Sequence, residues 1–289
     1  MWLAACIRQR FSIYLRLIRW DKPVGSLLLL WPTLSALWLA SEGTPSLSLI
    51  IIFVLGVFVM RAAGCVINDI ADRQIDGLVK RTQDRPLAQK ELSTLEALCF
   101  FITLIIIALG LVLLLPSLCL IIALCALCFA VVYPWTKRWL PYPQIVLGIA
   151  FNAGILMAYG AVQHTLPFVS WFLYMTAVIW TFGYDTIYAM VDQDDDLLIG
   201  INSSAISLGK QLLFVVGGVY ICIILCLLLL GIMVKMNLWY YAGVTLCSFL
   251  FIRQMYWIRS HDTERCFQAF LANHRAWLIL LLGIIVNYL

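Results

Sequence analysis

Residues 97–133 form an almost unbroken apolar run, and Pro116-Ser117 is the one point in it where a helix is expected to break. A membrane-crossing helix needs about 20 apolar residues. The run is too long for one crossing, and proline cannot continue a helix interior, so it reads as two spans, 95–115 and 117–134. Comparable stretches lie at 24–40, 46–67, 143–162, 166–184, 212–234, 238–258 and 270–288, which makes nine candidate spans. Of the 289 residues 64% are hydrophobic and 12% charged, against roughly 25% charged in an average soluble domain. That balance excludes an ordinary soluble enzyme, a disordered tail protein and a nucleic-acid binder with a basic face. No linker is long enough to separate two units. The expected fold is all-α: a polytopic membrane protein in which residues 1–289 form a single bundle of nine transmembrane helices.

The basic residues orient the bundle, because they collect at cytoplasmic ends. Arg8, Arg10, Arg16, Arg19 and Lys22 precede the first span, whereas the next loop carries only Glu42. Arg73, Lys80, Arg81, Arg85 and Lys90 follow the second span, and the turn at 116 has no charge. Lys137 and Arg138 follow the fourth, and 163–165 again has none. The alternation continues to Arg253, Arg259 and Arg265, with Lys235 as the single basic residue on the opposite side. The N-terminus is therefore expected in the cytoplasm and the C-terminus outside it. Residues 1–21 read as a basic interfacial segment, with arginines alternating with aromatic and aliphatic residues. Cys125 and Cys128 have the spacing of a redox or metal motif, but with no second pair nearby they read as packing residues.

Eight of the eleven aspartates fall into two short segments, 68–76 and 185–196. On a continuous helix, Asn68, Asp72 and Asp76 would share a face within about 80°, and Asp192 and Asp196 would lie about 40° apart, with Asp185 within about 20° of Asp192. Carboxylates so close together resist ionising together unless a cation holds them. Ligands that are all oxygen point to a hard ion, and Mg²⁺ is bound through a few carboxylates together with substrate phosphates. A calcium hand starting at Asp192 fails, because its sixth position is Leu197 and its twelfth Ser203. The basic residues on the same side, with Arg61 inside the second span, complete a site suited to a diphosphate presented from the cytoplasm. Arg61 is a functional candidate as an intramembrane charge, or alternatively a neutralising partner for the aspartates two turns further on.

At these residues the chain resembles the UbiA superfamily of intramembrane prenyltransferases. Asn68, Asp69, Asp72 and Asp76 match its motif N-D-x-x-D-x-x-x-D in full, and Asp192 and Asp196 match D-x-x-x-D. The segments 19–38, 60–87, 133–138 and 184–205 look like the 4-hydroxybenzoate polyprenyltransferase branch, and the resemblance runs from about residue 16 to 275. It implies nine helices around a central cavity under a cytoplasmic cap, with two Asp-rich motifs binding Mg²⁺ and diphosphate. It further implies a bacterial inner-membrane enzyme with a periplasmic C-terminus. The implied reaction attaches an all-trans polyprenyl group to 4-hydroxybenzoate, at the carbon ortho to the hydroxyl, in ubiquinone synthesis.

On that basis Asn68, Asp72, Asp76, Asp192 and Asp196 are expected to hold Mg²⁺ against polyprenyl diphosphate. Arg73 and Lys137 are expected on the diphosphate and Arg138 on the benzoate carboxylate, with Arg73 or Arg61 as the alternative. Tyr133 is expected to offer its π face to the allylic cation, and Asp185 to orient the phenol or accept its proton. The rival from another class is a cation-coupled transporter or flippase of an anionic lipid. It fits less well, because transporter ion sites lie near the midplane within inverted repeats, whereas these clusters sit at one face. Other aromatic or haem prenylation reactions are the lesser alternatives within the enzyme class.

Overall fold

The computed structural model describes residues 2–79 and 81–289; Lys80, one of the basic residues after the first acidic segment, lies outside the described residues. Among these the secondary structure is entirely helical. Helix α1 (Trp2–Leu17) precedes α2 (Val24–Ala40), α3 (Leu47–Asp72), α4 (Thr94–Val112) and α5 (Ser117–Thr136). Then come α6 (Pro143–Phe151), α7 (Ala153–Gln163), α8 (Phe168–Val191), α9 (Gln193–Ile199) and α10 (Ser204–Leu208). The last three are α11 (Leu212–Met233), α12 (Leu238–Ile258) and α13 (Thr263–Asn287).

Six helical segments are long and apolar enough to cross a membrane: α3, α4, α5, the α6–α7 pair, α10–α11 and α13. The other three predicted spans also fall on helices. α2 is apolar but only 17 residues long, while α8 and α12 are diluted by Trp, Tyr, Asp and Arg side chains. The long apolar run divides as expected: α4 ends at Val112, and Pro116 in extended conformation starts α5. Serine, asparagine or aspartate caps several helix starts; the Ser93 side chain accepts from Glu96 N at 3.1 Å and Asp262 from Arg265 N at 2.8 Å. Such caps satisfy donors that a helix leaves orphaned at its first turn.

One predicted span is not a single helix. The 143–162 run breaks at Asn152 between α6 and α7, which frees backbone carbonyls where no water can reach them. Asn152 Nδ2 donates to Gly148 O at 2.9 Å and to Thr181 Oγ1 at 2.8 Å, and the Tyr174 hydroxyl donates to Ile149 O at 2.9 Å. The break is thus closed by its own polar residue and by α8. The N-terminal basic segment, from Trp2 onward, also gains a definite structure. Ile13 and Leu17 are buried against Ala62, Val66, Leu92 and Ala97, and Tyr14 OH donates to Glu96 at 2.7 Å while Arg16 pairs with Glu91. Cys125 and Cys128 are unpaired and face outward on α5, so they do not pack inside the bundle as the sequence suggested.

The C-terminal half is knitted by close backbones and a buried polar layer. Gly283 lies so near α12 that a Cβ there would come within 3.2 Å of Trp239 O and 3.5 Å of the Gly243 Cα. Small residues allow this approach where helix association depends on dispersion contacts. Above it, Asn273 Oδ1 accepts from Trp180 Nε1 at 3.3 Å and lies 3.3 Å from the Tyr220 hydroxyl, which reaches Gln254 Oε1 at 2.5 Å. Trp277 Nε1 donates to Ser35 Oγ at 3.2 Å, which ties in α2. These bonds hold α2, α8, α11, α12 and α13 in one register. Asn273→Leu strands the Trp180 Nε1 donor, while Tyr220 keeps Gln254, and is expected to destabilise the protein by about 1–3 kcal/mol, read as a lower unfolding midpoint in detergent; an unchanged midpoint would show that the Asn273 bond adds nothing.

Candidate active site

The first acidic motif sits where α3 ends. Asn68, Asp69 and Asp72 lie on its last turns, but the helix does not continue to Asp76, which starts a short 3₁₀ turn (Asp76–Leu78). The three-residue stripe expected on one helix face is therefore bent. Asp76 is buried, with both carboxylate oxygens 2.8 Å from Arg85 Nη1 and its carbonyl accepting from Thr82 Oγ1 at 2.8 Å. Burial raises the Asp76 carboxyl above the usual carboxylate range against the opposing pull of Arg85. The second motif bends likewise. α8 ends at Val191, Asp192 occupies the break, and Asp196 lies on α9. Burial raises the Asp196 carboxyl to about 6, with Asp192 adding to the shift and Lys137 opposing it.

Basic side chains join the two motifs. Arg81, on the loop between α3 and α4, forks onto Asp192 at 2.8 and 2.5 Å and lies 4.7 Å over the Tyr188 ring. Lys137, at the end of α5, reaches Asp72 at 3.4 Å, and its ammonium is 5.8 Å from the centre of the Tyr133 ring. The Lys137 carbonyl accepts from Asn202 N at 3.1 Å, so the chain beyond the second motif is tied to α5. Asp72, Asp192, Lys137, Tyr133 and Tyr188 thus face a common mouth between α3, α5 and α8.

Among the described residues no three His, Cys, Asp or Glu side chains converge as a ready-made metal cage. Asp69, Asp72, Asp76 and Asp192 are instead engaged by arginine and lysine. The donors nonetheless suit a hard cation. All are oxygens, and Asn68 Oδ1 is buried without a hydrogen-bond partner, a ligand with nothing in place to satisfy it.

The remaining predicted residues divide. Asp185 is half-buried on α8, two turns before Asp192. Arg61 is embedded in α3 against α2, where a Cβ on Gly25 would meet its guanidinium at 2.5 Å. Its Nη1 donates to Cys65 Sγ at 2.8 Å, its Nε is buried without a partner, and it forms no ion pair with Asp69, Asp72 or Asp76, so the neutralising alternative is not taken. Arg138 lies exposed at the rim, 3.4 Å from Ala71 O. Arg73 is exposed and bonded to Ile70 O at 2.7 Å, so it is not brought onto the carboxylates. Sequence reasoning passed over Asp69, which is 1% exposed and held by Arg19 at 2.6 Å and Arg85 at 3.1 Å. Its position in the first motif was the available signal; its place off the Asn68–Asp72 stripe hid its role.

With this geometry in view, the comparisons with known proteins agree with one another. The chain matches the model of the UbiA prenyltransferase family over residues 29–280. It is 47% identical over 282 residues to a 4-hydroxybenzoate octaprenyltransferase of Aeromonas salmonicida and 46% identical to that of Yersinia enterocolitica, covering 98% of both chains in each case. The apo structure of a UbiA homologue from Aeropyrum pernix superposes with a TM-score of 0.79 at 25% identity, over 91% of this chain and 98% of that one. A homologue from Archaeoglobus fulgidus bound to GPP and Mg²⁺ shares the fold, with a TM-score of 0.72 at 18% identity over 95% and 99%. The chain belongs to the UbiA prenyltransferase family.

Proposed function

We propose that this protein transfers an all-trans polyprenyl group from polyprenyl diphosphate to 4-hydroxybenzoate, at the carbon ortho to the hydroxyl and meta to the carboxylate, releasing diphosphate on the route to ubiquinone. The observation that carries this reading is the meeting of the two acidic motifs at one mouth, joined through Arg81 and Lys137. Full-length similarity to two 4-hydroxybenzoate octaprenyltransferases supports the same substrates. The reading includes nine transmembrane helices around a central cavity in a bacterial inner membrane. Its acidic mouth and cap loops face the cytoplasm, as does the N-terminus, and its C-terminus faces the periplasm, in keeping with the alternation of basic loops.

Asn68, Asp72, Asp76, Asp192 and Asp196 would hold Mg²⁺. Bound there, the metal supplies positive charge against the diphosphate leaving group. Lys137 and the cap-loop arginines Arg81 and Arg85, now occupied by carboxylates, bind the phosphoryl oxygens, with Arg73 at the outer edge. As the allylic carbon–oxygen bond breaks, positive charge develops on the prenyl fragment, and the ring of Tyr133 faces it with π density. The electron-rich ring carbon of the acceptor forms the new carbon–carbon bond. Its proton then leaves, with Asp185 as acceptor, and aromaticity returns.

The acceptor carboxylate needs a cation of its own inside an apolar cavity. Of the three arginines considered, Arg61 fits better, being embedded in the bundle with an unpartnered Nε, whereas Arg73 and Arg138 are solvent-exposed. We therefore place the benzoate carboxylate on Arg61 and give Arg138 a role at the rim.

Membranes containing the protein, given labelled 4-hydroxybenzoate, octaprenyl diphosphate and Mg²⁺, are expected to form labelled prenylated product. Chelation with EDTA should stop the reaction and added Mg²⁺ restore it. Asp72→Asn and Asp192→Asn should each nearly abolish transfer at unchanged protein level; near-normal turnover would remove them from the metal site. Arg61→Ala should raise the KM for 4-hydroxybenzoate about ten- to a hundredfold, the loss of one charged hydrogen-bonding partner, with little change in the donor KM. If Arg138→Ala has that effect instead, the carboxylate belongs at the rim.

A further inference from the structure

Among the described residues two side-chain oxygens are buried without a hydrogen-bond partner, Asn68 Oδ1 and Gln144 Oε1. The first belongs to the acidic mouth and suits a cation; the second has no part in that site. Gln144 is 4% exposed and follows Pro143 at the start of α6. A buried amide oxygen that accepts no hydrogen bond carries its desolvation cost without return. Donors are near, since the first turn of a helix leaves its amide N–H groups orphaned, yet the Gln144 oxygen takes none of them.

Its place follows from how α6 lies on α8. A Cβ on Gly148 would come within 3.1 Å of Val178 O and 3.2 Å of Thr181 Cβ, and the rings of Tyr142 and Phe182 meet at 6.0 Å. With 142 against 182 and 148 against 178, the two helices run antiparallel. Residues four apart on a helix share a face. Gln144 is thus one turn nearer the mouth than Gly148, on the face turned to α8. Asp185 is one turn nearer the mouth than Thr181, on the face turned to α6. The amide and the carboxylate stand at one level across the α6–α8 seam. Asp185 lies in the field of Lys137 and Arg61, and Tyr133 in that of Asp185. Groups from α3, α5, α6 and α8 therefore surround one spot at the inner end of the mouth.

Resting on the transfer reaction assigned above, we propose that Gln144 Oε1 accepts the phenolic O–H of 4-hydroxybenzoate and so fixes which ring carbon is prenylated. With the carboxylate on Arg61 of α3, the ring reaches across to the α6–α8 seam, and a hydroxyl para to the carboxylate meets the amide. The carbon ortho to that hydroxyl then lies beside Asp185, which receives the ring proton after the new carbon–carbon bond has formed. Accepting the phenolic hydrogen also raises electron density on the phenol oxygen, and through the ring at the carbon that attacks. Gln144 is a specificity-determining residue for the acceptor and exchanges no proton itself.

The test is equilibrium binding of 4-hydroxybenzoate and of benzoate, which lacks only the hydroxyl. It is read by calorimetry on purified protein holding Mg²⁺ and a non-reactive thiodiphosphate analogue of the donor. Wild-type protein should bind 4-hydroxybenzoate about ten- to a hundredfold more tightly than benzoate, the range set by pairing an otherwise orphaned buried acceptor. In Gln144→Leu the two affinities should fall within about threefold of each other, through weaker binding of 4-hydroxybenzoate and unchanged binding of benzoate. That variant should unfold no earlier than wild type, because it removes an unsatisfied oxygen. Should Gln144→Leu not accumulate, Gln144→Met has the same length without the oxygen and must show the same collapse. A hydroxyl preference that survives in the variant, an equal loss for both ligands, or no preference in wild type overturns the proposal and leaves the transfer reaction standing. Wild-type protein that binds neither ligand overturns the transfer reading first, and this proposal with it.

Discussion

The pairing of aspartates with arginine and lysine at one membrane face is the interaction on which the site depends. Two acidic segments that close would repel each other, and their carboxylates would tend to protonate if they stood alone. Arg85 spans Asp69 and Asp76, Arg19 holds Asp69, Lys137 reaches Asp72, and Arg81 clasps Asp192. The two motifs come from opposite halves of the chain, and Arg81, on the loop that follows the first, holds Asp192 of the second in a bidentate contact, which sets orientation as well as attraction. The same cations are the groups that a bound diphosphate would recruit. The protein's own basic residues thus keep the mouth assembled and, in the proposed reaction, would supply its anion-binding face.

Below the mouth the constraint changes from charge to backbone hydrogen bonding. In hydrocarbon every unpaired amide or carbonyl is costly, so a helix can break only where side chains close the gap. Asn152, Thr181 and Tyr174 do this between α6 and α8, and the break helps to shape an apolar cavity beside it. The buried layer of Trp180, Tyr220, Gln254 and Asn273 acts in the other half, fixing the register of α8, α11, α12 and α13. Among the buried polar atoms left without a partner, that of Arg61 belongs to a charged group: a guanidinium within the bundle with an unsatisfied nitrogen. In the proposed function that cation would be half of an ion pair whose anion arrives with the substrate.

Much of this was legible in the sequence, for local reasons. Pro116 marks the division of the long apolar run because proline breaks a helix whatever surrounds it, and the acidic motifs stand out because each is contained within a dozen residues. The contacts that turn motifs into a site were not legible, since they join distant residues. Arg81 and Asp192 are 111 positions apart, and Arg19 reaches Asp69 across the whole of α2. Helical periodicity also misplaced Asp76, because the chain leaves the helix after Asp72. The isolation of Arg61 could be seen only once its neighbours were known, since its spacing to Asn68 suggested a neutralising role that it does not take.

The central claim is that cationic side chains stand in for the metal at these carboxylates until the diphosphate arrives to draw them away. Calorimetric titration of purified protein with Mg²⁺, alone and with a non-reactive thiodiphosphate analogue of the donor, tests this directly. The account predicts weak Mg²⁺ binding alone, because Arg81, Arg85 and Lys137 occupy Asp192, Asp76 and Asp72, and tightening of at least about tenfold, or 1.4 kcal/mol, once the analogue is bound. Tight Mg²⁺ binding by the protein alone, unchanged by the analogue, would contradict it.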